Sequence, residues 1–162
     1  MAAADVEIRR YREADREAIE SFRCVMPGQR HWTRPPEQCI RGAPADISEG
    51  VDAALFVAEE SPTGRIVGVI VFGPDLNVAG QHRIHAMGVV SDRRRQGIGT
   101  RLKVAALAEI AATVGHWPVF SHVHRNNVAM IGLNDKLRAE KELDPDHPAH
   151  FISVVVVDPV DP

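Results

Sequence analysis

A chain of 162 residues, 44% of them apolar and 25% charged, is long enough to bury one core and is read as a single domain spanning 1–162. Nineteen Lys and Arg against twenty-two Asp and Glu leave a formal charge of -3, so no polyanion-binding surface is indicated and a nucleic-acid partner has no support. Cys24 and Cys39 allow at most one bridge, which excludes a disulfide-held scaffold, and both are read as thiols of a reducing compartment. Met1 to Asp5 has no basic start and runs into charged Glu7, Arg9 and Arg10, so a signal peptide is not expected and a cytoplasmic location is. The longest apolar pieces, such as Val67 to Phe72 and Val154 to Val157, fall far short of the roughly 20 residues that cross a bilayer, so no membrane partner is expected.

In chain order, alternation at Val6, Ile8 and Arg10 predicts a strand, and Ala14, Ala18, Ile19 and Phe22 at helical spacing predict a helix over 11–23. Met26-Pro27-Gly28 stops it, and Thr33 to Glu37, with prolines near a first turn, can start a second one inside an irregular stretch from Cys24 to Gly50. Ala54 to Glu59 and Ile66 to Gly73 are β-rich runs separated by a Pro/Gly-containing loop and read as consecutive antiparallel strands. A third run, His82 to Val90, ends at Ser91-Asp92 and a basic cluster, Arg93-Arg94-Arg95. Ile98, Leu102, Ala105, Ala106, Ala108 and Ala112 then predict a long helix that Gly115 stops. Pro118 to His124 reads as a strand, Asn126 or Asn127 as the cap of a helix carrying Met130, Ile131, Leu133 and Leu137, and Phe151 to Val157 as a strand buried on both faces. The order β, α (α), β, β, β, α, β, α, β argues for a mixed sheet covered by helices.

Chemistry concentrates where the third run meets the long helix. Gly97 and Gly99 sit at the helix entrance, where unpaired N–H groups and the helix dipole favour an anion and missing Cβ atoms let phosphate oxygens approach the backbone. Arg93, Arg94 and Arg95 add charge-assisted donors. Leu102 stands where a dinucleotide fingerprint needs glycine, and no G-x-x-x-x-G-K-[ST] occurs, so these residues alone indicate a generic phosphate site.

Arg94-x-x-Gly97-x-Gly99, directly after Met87-Gly88-Val89-Val90-Ser91-Asp92, resembles motif A of the GCN5-related N-acetyltransferase (GNAT) superfamily. Asn127-x-x-Met130-Ile131-x-x-Asn134-x-x-Leu137 resembles a variant of the family's next helix. The resemblance implies an α/β GNAT-like fold: a central mixed, mostly antiparallel sheet with a splayed parallel strand pair, flanked by helices. It implies acetyl-CoA as cosubstrate and no metal, with backbone N–H groups of Arg95, Gln96, Gly97, Ile98, Gly99 and Thr100 holding the pyrophosphate and Arg94 beside them. Met87, Gly88 and Val89 would pair with pantetheine, the Val89 N–H would polarise the thioester carbonyl, and Asn127 and Asn134 would reach the cofactor. Asn134 replaces the tyrosine that protonates the departing thiolate in many members, and Arg138-Ala139 replaces a usual Gly-Phe. Tyr11, the single tyrosine, lies near the N-terminus.

An amine nucleophile needs a base working near neutral pH. His85 is the first candidate, because simple alternation places it on the face shared by Met87 and Val89; the alternative is a histidine hydrogen-bonded within the sheet. Arg83 is a candidate for an anionic part of the acceptor, as are Arg23, Arg30, His31, Trp32 and Arg34 in the irregular stretch. His82, His85, His122 and His124 show no four-ligand spacing, and Cys24 has no activating motif. The reading is an N-acetyltransferase that moves acetyl from acetyl-CoA to a primary amine by direct attack in a ternary complex, with a homodimer as an open state. Its alternatives are a noncatalytic acyl-CoA-binding regulatory module and a nucleotide-phosphate binder.

Overall fold

The computed structural model describes residues 5–20, 22, 54–75, 78–114, 118–124, 128–143 and 151–156. Strand β1 (Asp5–Arg10) leads through a 3-10 turn (Glu13–Asp15) into a short helix α1 (Arg16–Glu20). Three strands follow, β2 (Ala54–Ser61), β3 (Arg65–Pro74) and β4 (His82–Val89), then a 3-10 turn (Ser91–Arg93) and the long helix α2 (Ile98–Val114). The chain continues with β5 (Val119–His124), α3 (Val128–Lys136), β6 (Glu140–Leu143) and β7 (Phe151–Val156). All seven strands form one sheet in the order β1-β2-β3-β4-β5-β7-β6. Every neighbouring pair is antiparallel except β4 and β5, which run parallel. The expected mixed sheet with one parallel pair is therefore present.

Two apolar layers hold the helices to the sheet. On one face Ile98, Leu102, Ala106 and Ile110, spaced by four along α2, pack on Phe56, Val67, Ile70, Phe72, Ile84 and Met87. Each fully buried Leu or Ile contributes about 1.5 to 3 kcal/mol. Gly68 lets α2 lie close, since a Cβ there would stand 2.9 Å from Leu102 Cδ1. On the other face Ile19 and Phe22 cover Val57, Ile66 and Val69.

The structure corrects the sequence reading in two places. The helix expected over 11–23 is shorter among the described residues. Tyr11 N–H still donates to Leu55 O at 2.8 Å, and Asp15 accepts from the Arg12 N–H at 2.8 Å while gripping the Arg9 guanidinium. These bonds hold residues 11–15 to the sheet before helix can begin. Strand β6 was not expected, because Glu140-Lys141-Glu142-Leu143 is exposed throughout and carries no apolar alternation; it is an edge strand whose pairing comes from β7 alone. The proposed helix at 33–37, its neighbours from Cys24 to Gly50, the Asn126 or Asn127 cap and the Gly115 stop lie outside the described residues.

Candidate active site

Strand β4 is bonded to β3 along its whole length, from His82 opposite Pro74 to Val89 opposite Gly68. Toward β5 it is bonded only at His82 and Arg83, opposite Val119 and Phe120, and then the two strands part. Val90 N–H donates to Val67 O at 2.9 Å, and antiparallel ladders alternate between residues that bond across and residues that point away. By that alternation Gly88 faces β3, while Met87 and Val89 present N–H and C=O to the opening. Arg94 Nε reaches Val89 O from that side at 3.4 Å.

The entrance of α2 closes one end of the opening. Arg101 N–H bonds to Gly97 O at 3.0 Å, so Gly97 caps the helix and the N–H groups of Ile98, Gly99 and Thr100 have no intrahelical acceptor. Arg95 and Gly97 both take left-handed conformations, φ 64° and 78°, folding the loop into a concavity of backbone donors. At Gly99 a Cβ would stand 3.3 Å from Leu133 Cδ1 and 3.7 Å from both Met87 Cε and Val89 Cγ2, so its absence keeps the helix, β4 and α3 close. The result is a cleft of about 690 Å³ with a donor-rich mouth and apolar walls of Met87, Val89, Met130 and Leu133. These residues suit a ligand with an anionic head and a long, mostly apolar arm, as acyl-CoA has.

Ion pairs stiffen the loop from below. Glu60, nearly buried on β2, holds Arg93, and Arg65 grips Asp92 through two bonds of 2.9 and 3.0 Å. The Arg93 hydrogen bond lowers the Glu60 pKa, and the Arg65 pair does the same for Asp92.

Of the residues the sequence singled out, Met87, Gly88, Val89, Arg94, Arg95, Gly97, Ile98, Gly99 and Thr100 line this cleft. Gln96 is exposed on the loop and is not part of the lining. Asn134 is fully buried and bonded to Lys103 instead of facing the cleft. Arg93 lines the cleft but is held by Glu60, and Arg83 is held by the nearly buried Asp75 at 2.8 Å, so neither guanidinium is simply on offer to an anion. His85 is half-buried at a β-bulge: Ala86 pairs with Val71 and Ile84 with Phe72, leaving His85 as the extra residue. The bulge interrupts the alternation used to put His85 on the Met87 face, and it is Ile84 that joins Met87 in the core. Tyr11 packs beside the core on the opposite face of the sheet. Asn127, Cys24, Cys39, Arg23, Arg30, His31, Trp32 and Arg34 lie outside the described residues. His82 is on β4, with His122 and His124 on β5; among the described residues no three His, Cys, Asp or Glu side chains gather into a metal-binding group.

Sequence reasoning missed the far wall, formed by Val128, Ala129, Gly132 and Lys136 of α3, and it missed Lys103. A signal for Lys103 was present: it lies four residues after Gly99 and four before Leu107, on the inward stripe of the helix.

Comparison with known proteins agrees with this geometry. The model of the acetyltransferase (GNAT) family matches residues 16–137. Among solved structures, the ribosomal-protein-S5-alanine acetyltransferase of Vibrio fischeri superposes with a TM-score of 0.69 at 13% identity, covering 97% of this chain and 96% of that one. An N-acetyltransferase from Staphylococcus aureus Mu50 gives 0.66 at 17% identity, covering 94% and 96%. A GNAT-family acetyltransferase from Desulfovibrio desulfuricans gives 0.67 at 14%, covering 93% and 96%. No curated protein matches the sequence significantly. Fold and cleft thus define an acyltransferase-type α/β domain. The chain belongs to the acetyltransferase (GNAT) family.

Proposed function

We propose that the protein moves an acetyl group from acetyl-CoA to a primary amine by direct attack within a ternary complex. One observation carries this reading: the cleft joins an anion-binding helix entrance to a strand edge whose Met87 and Val89 backbone groups point into it. The N–H groups of Ile98, Gly99 and Thr100, with the Arg95 to Gly97 concavity, would hold the pyrophosphate. The edge at Met87 and Val89 would bond the amides of the pantetheine arm. The Val89 N–H would meet the thioester oxygen, where a preorganised donor stabilises the negative charge that develops on attack.

His85 is the proposed base, taking the amine proton directly or through a water at the bulge. The bulge supports this role, since an extra residue re-aims a side chain at the point where β4 and β5 separate. An anionic acceptor loses one of its supports, because Arg83 is already paired with Asp75. The expected partner is therefore an amine-bearing acceptor with no further chemistry assigned. The second reading, an acyl-CoA-binding module without turnover, draws on Asn134, which is buried away from the cleft and is no proton donor. Thiol release from acetyl-CoA over a panel of small amines, amino acids, polyamines and peptide N-termini separates the two. Amine-dependent release supports transfer; binding of acetyl-CoA with no release for any amine class favours the module.

A further inference from the structure

A nearly buried carboxylate stands behind the loop that leads into α2. Glu60 closes the β2–β3 hairpin and accepts from Arg93 Nε with one oxygen, while the Thr63 hydroxyl lies 3.3 Å from the other. Its backbone is fixed as well, since Glu60 O accepts from the Gly64 N–H at 2.8 Å. The same hairpin grips the loop at two more points: Val90 N–H donates to Val67 O at 2.9 Å, and Arg65 holds Asp92. Val90, Asp92 and Arg93 are thus tied to β3 and β2 just before the chain turns through Arg95 and Gly97 into the helix.

The two ion pairs differ in kind. Arg65 and Asp92 are both exposed, so water competes for them and their hold is weak. The Glu60 side chain is 5% exposed and that of Arg93 27%, and a carboxylate taken out of water is costly unless it is paired. A negative charge at this place also opposes an anionic ligand, because Arg93 lines the cleft. What Glu60 controls is the orientation of the Arg93 guanidinium. Nε goes to Glu60 and Nη1 lies 3.3 Å from Asp92 O, while Nη2 has no partner among the described residues. A guanidinium is a rigid planar fork, so fixing two of its nitrogens fixes the third.

We propose that Glu60 is a positioning residue for the acyl-CoA ligand: it orients Arg93 so that Nη2 is held ready for a phosphate oxygen. This rests on the acyl-CoA reading above. Glu60 itself is not part of the cleft lining and acts only through Arg93. Plain electrostatics and positioning predict opposite signs. Neutralising Glu60 removes a repelling charge, which by itself would tighten the binding of an anion. If Glu60 orients Arg93, the same change weakens binding, because a freed arginine must lose rotamer freedom before it can bond.

Calorimetric titration with CoA compares the parent with Glu60→Gln, Arg93→Gln, the double variant and Arg65→Gln. Glu60→Gln should weaken CoA roughly tenfold, the effect of leaving one rotamer-rich side chain unordered. Arg93→Gln should cost at least as much, and the double variant no more than Arg93→Gln alone, because Glu60 then has nothing to orient. Arg65→Gln should stay within about twofold of the parent. In thiol release the KM for acetyl-CoA should rise in Glu60→Gln with kcat unchanged. A Glu60→Gln protein that binds CoA as tightly as the parent, or more tightly, overturns the proposal, and so does a double variant in which the two losses simply add. An Arg65→Gln loss as large as that of Glu60→Gln also overturns it, since loop stiffness alone would then suffice. Should Glu60→Gln not fold, Arg93→Lys decides: it keeps the charge and loses the fork, so affinity should fall by roughly tenfold, and an unchanged affinity overturns the assignment. All of these outcomes presuppose a parent that binds CoA; a parent that does not overturns the acyl-CoA reading as well.

Discussion

The two edges of β4 lead different lives. Toward β3 the strand is bonded over its whole length, with Ile84 and Met87 in the main core; toward β5 it is bonded at two positions and then abandoned. Backbone groups that lose a strand partner must be satisfied by water or by a ligand. The sheet thus gains stability from one edge and leaves the other open to the cleft, and α2 closes both with a single helix: its apolar stripe seals the paired side and its entrance caps the open one.

The sharpest way to separate the edges is His85→Ala, at the bulge between them. Turnover should fall by roughly 10² to 10⁴ while acetyl-CoA affinity stays nearly unchanged; an unaltered pH–rate profile would return His85 to a sheet role. Gly97→Glu attacks the open side only. The φ of 78° strains any side chain, and the added carboxylate repels phosphate, so CoA affinity should drop by roughly 100-fold, about 2.7 kcal/mol, in calorimetry. The same variant should unfold a few degrees below the parent, because a side chain at this φ costs about 1 to 2 kcal/mol although a Cβ at Gly97 meets nothing within 4 Å.

Lys103 probes the layer between cleft and core. With its pKa lowered from 10.5 to about 8, the native state binds fewer protons than the unfolded chain between those values. Stability should therefore rise with pH across that window, by up to about 3 kcal/mol, and denaturant melts of Lys103→Met should lack the rise. The smallest effect lies at the end of α3, behind the far wall of the cleft. Arg138 ends α3 in a left-handed conformation, φ 55°, with Ala139 N–H bonded back to Asn134 O at 3.0 Å, a helix stop that favours glycine. Arg138→Gly should stabilise the fold by about 1 kcal/mol in denaturant melts and leave CoA binding unchanged.

Much of the open edge was legible before any coordinates. Gly97 and Gly99 mark a helix entrance by residue type alone, and the β-rich run before them places a strand against it. The bulge at His85 was not legible, because a strand register depends on the facing strand and not on local alternation. Asn134 was misplaced for a related reason: a motif position specifies a helix and a turn of it, while burial is decided by what packs opposite, here Lys103. Lys103 itself reads as a surface residue by type, and only its place on the inward stripe of α2 contradicts that. Strand β6 escaped because an exposed edge has no apolar period to display.

The central claim is that the α2 entrance and the free edge of β4 together form one acyl-CoA site. Calorimetric titration with acetyl-CoA, CoA and ADP tests it most directly. Acetyl-CoA and CoA should bind tightly and ADP far more weakly, because ADP lacks the arm that Met87 and Val89 would pair with. Equal binding of ADP, or no binding of acetyl-CoA, would contradict the claim.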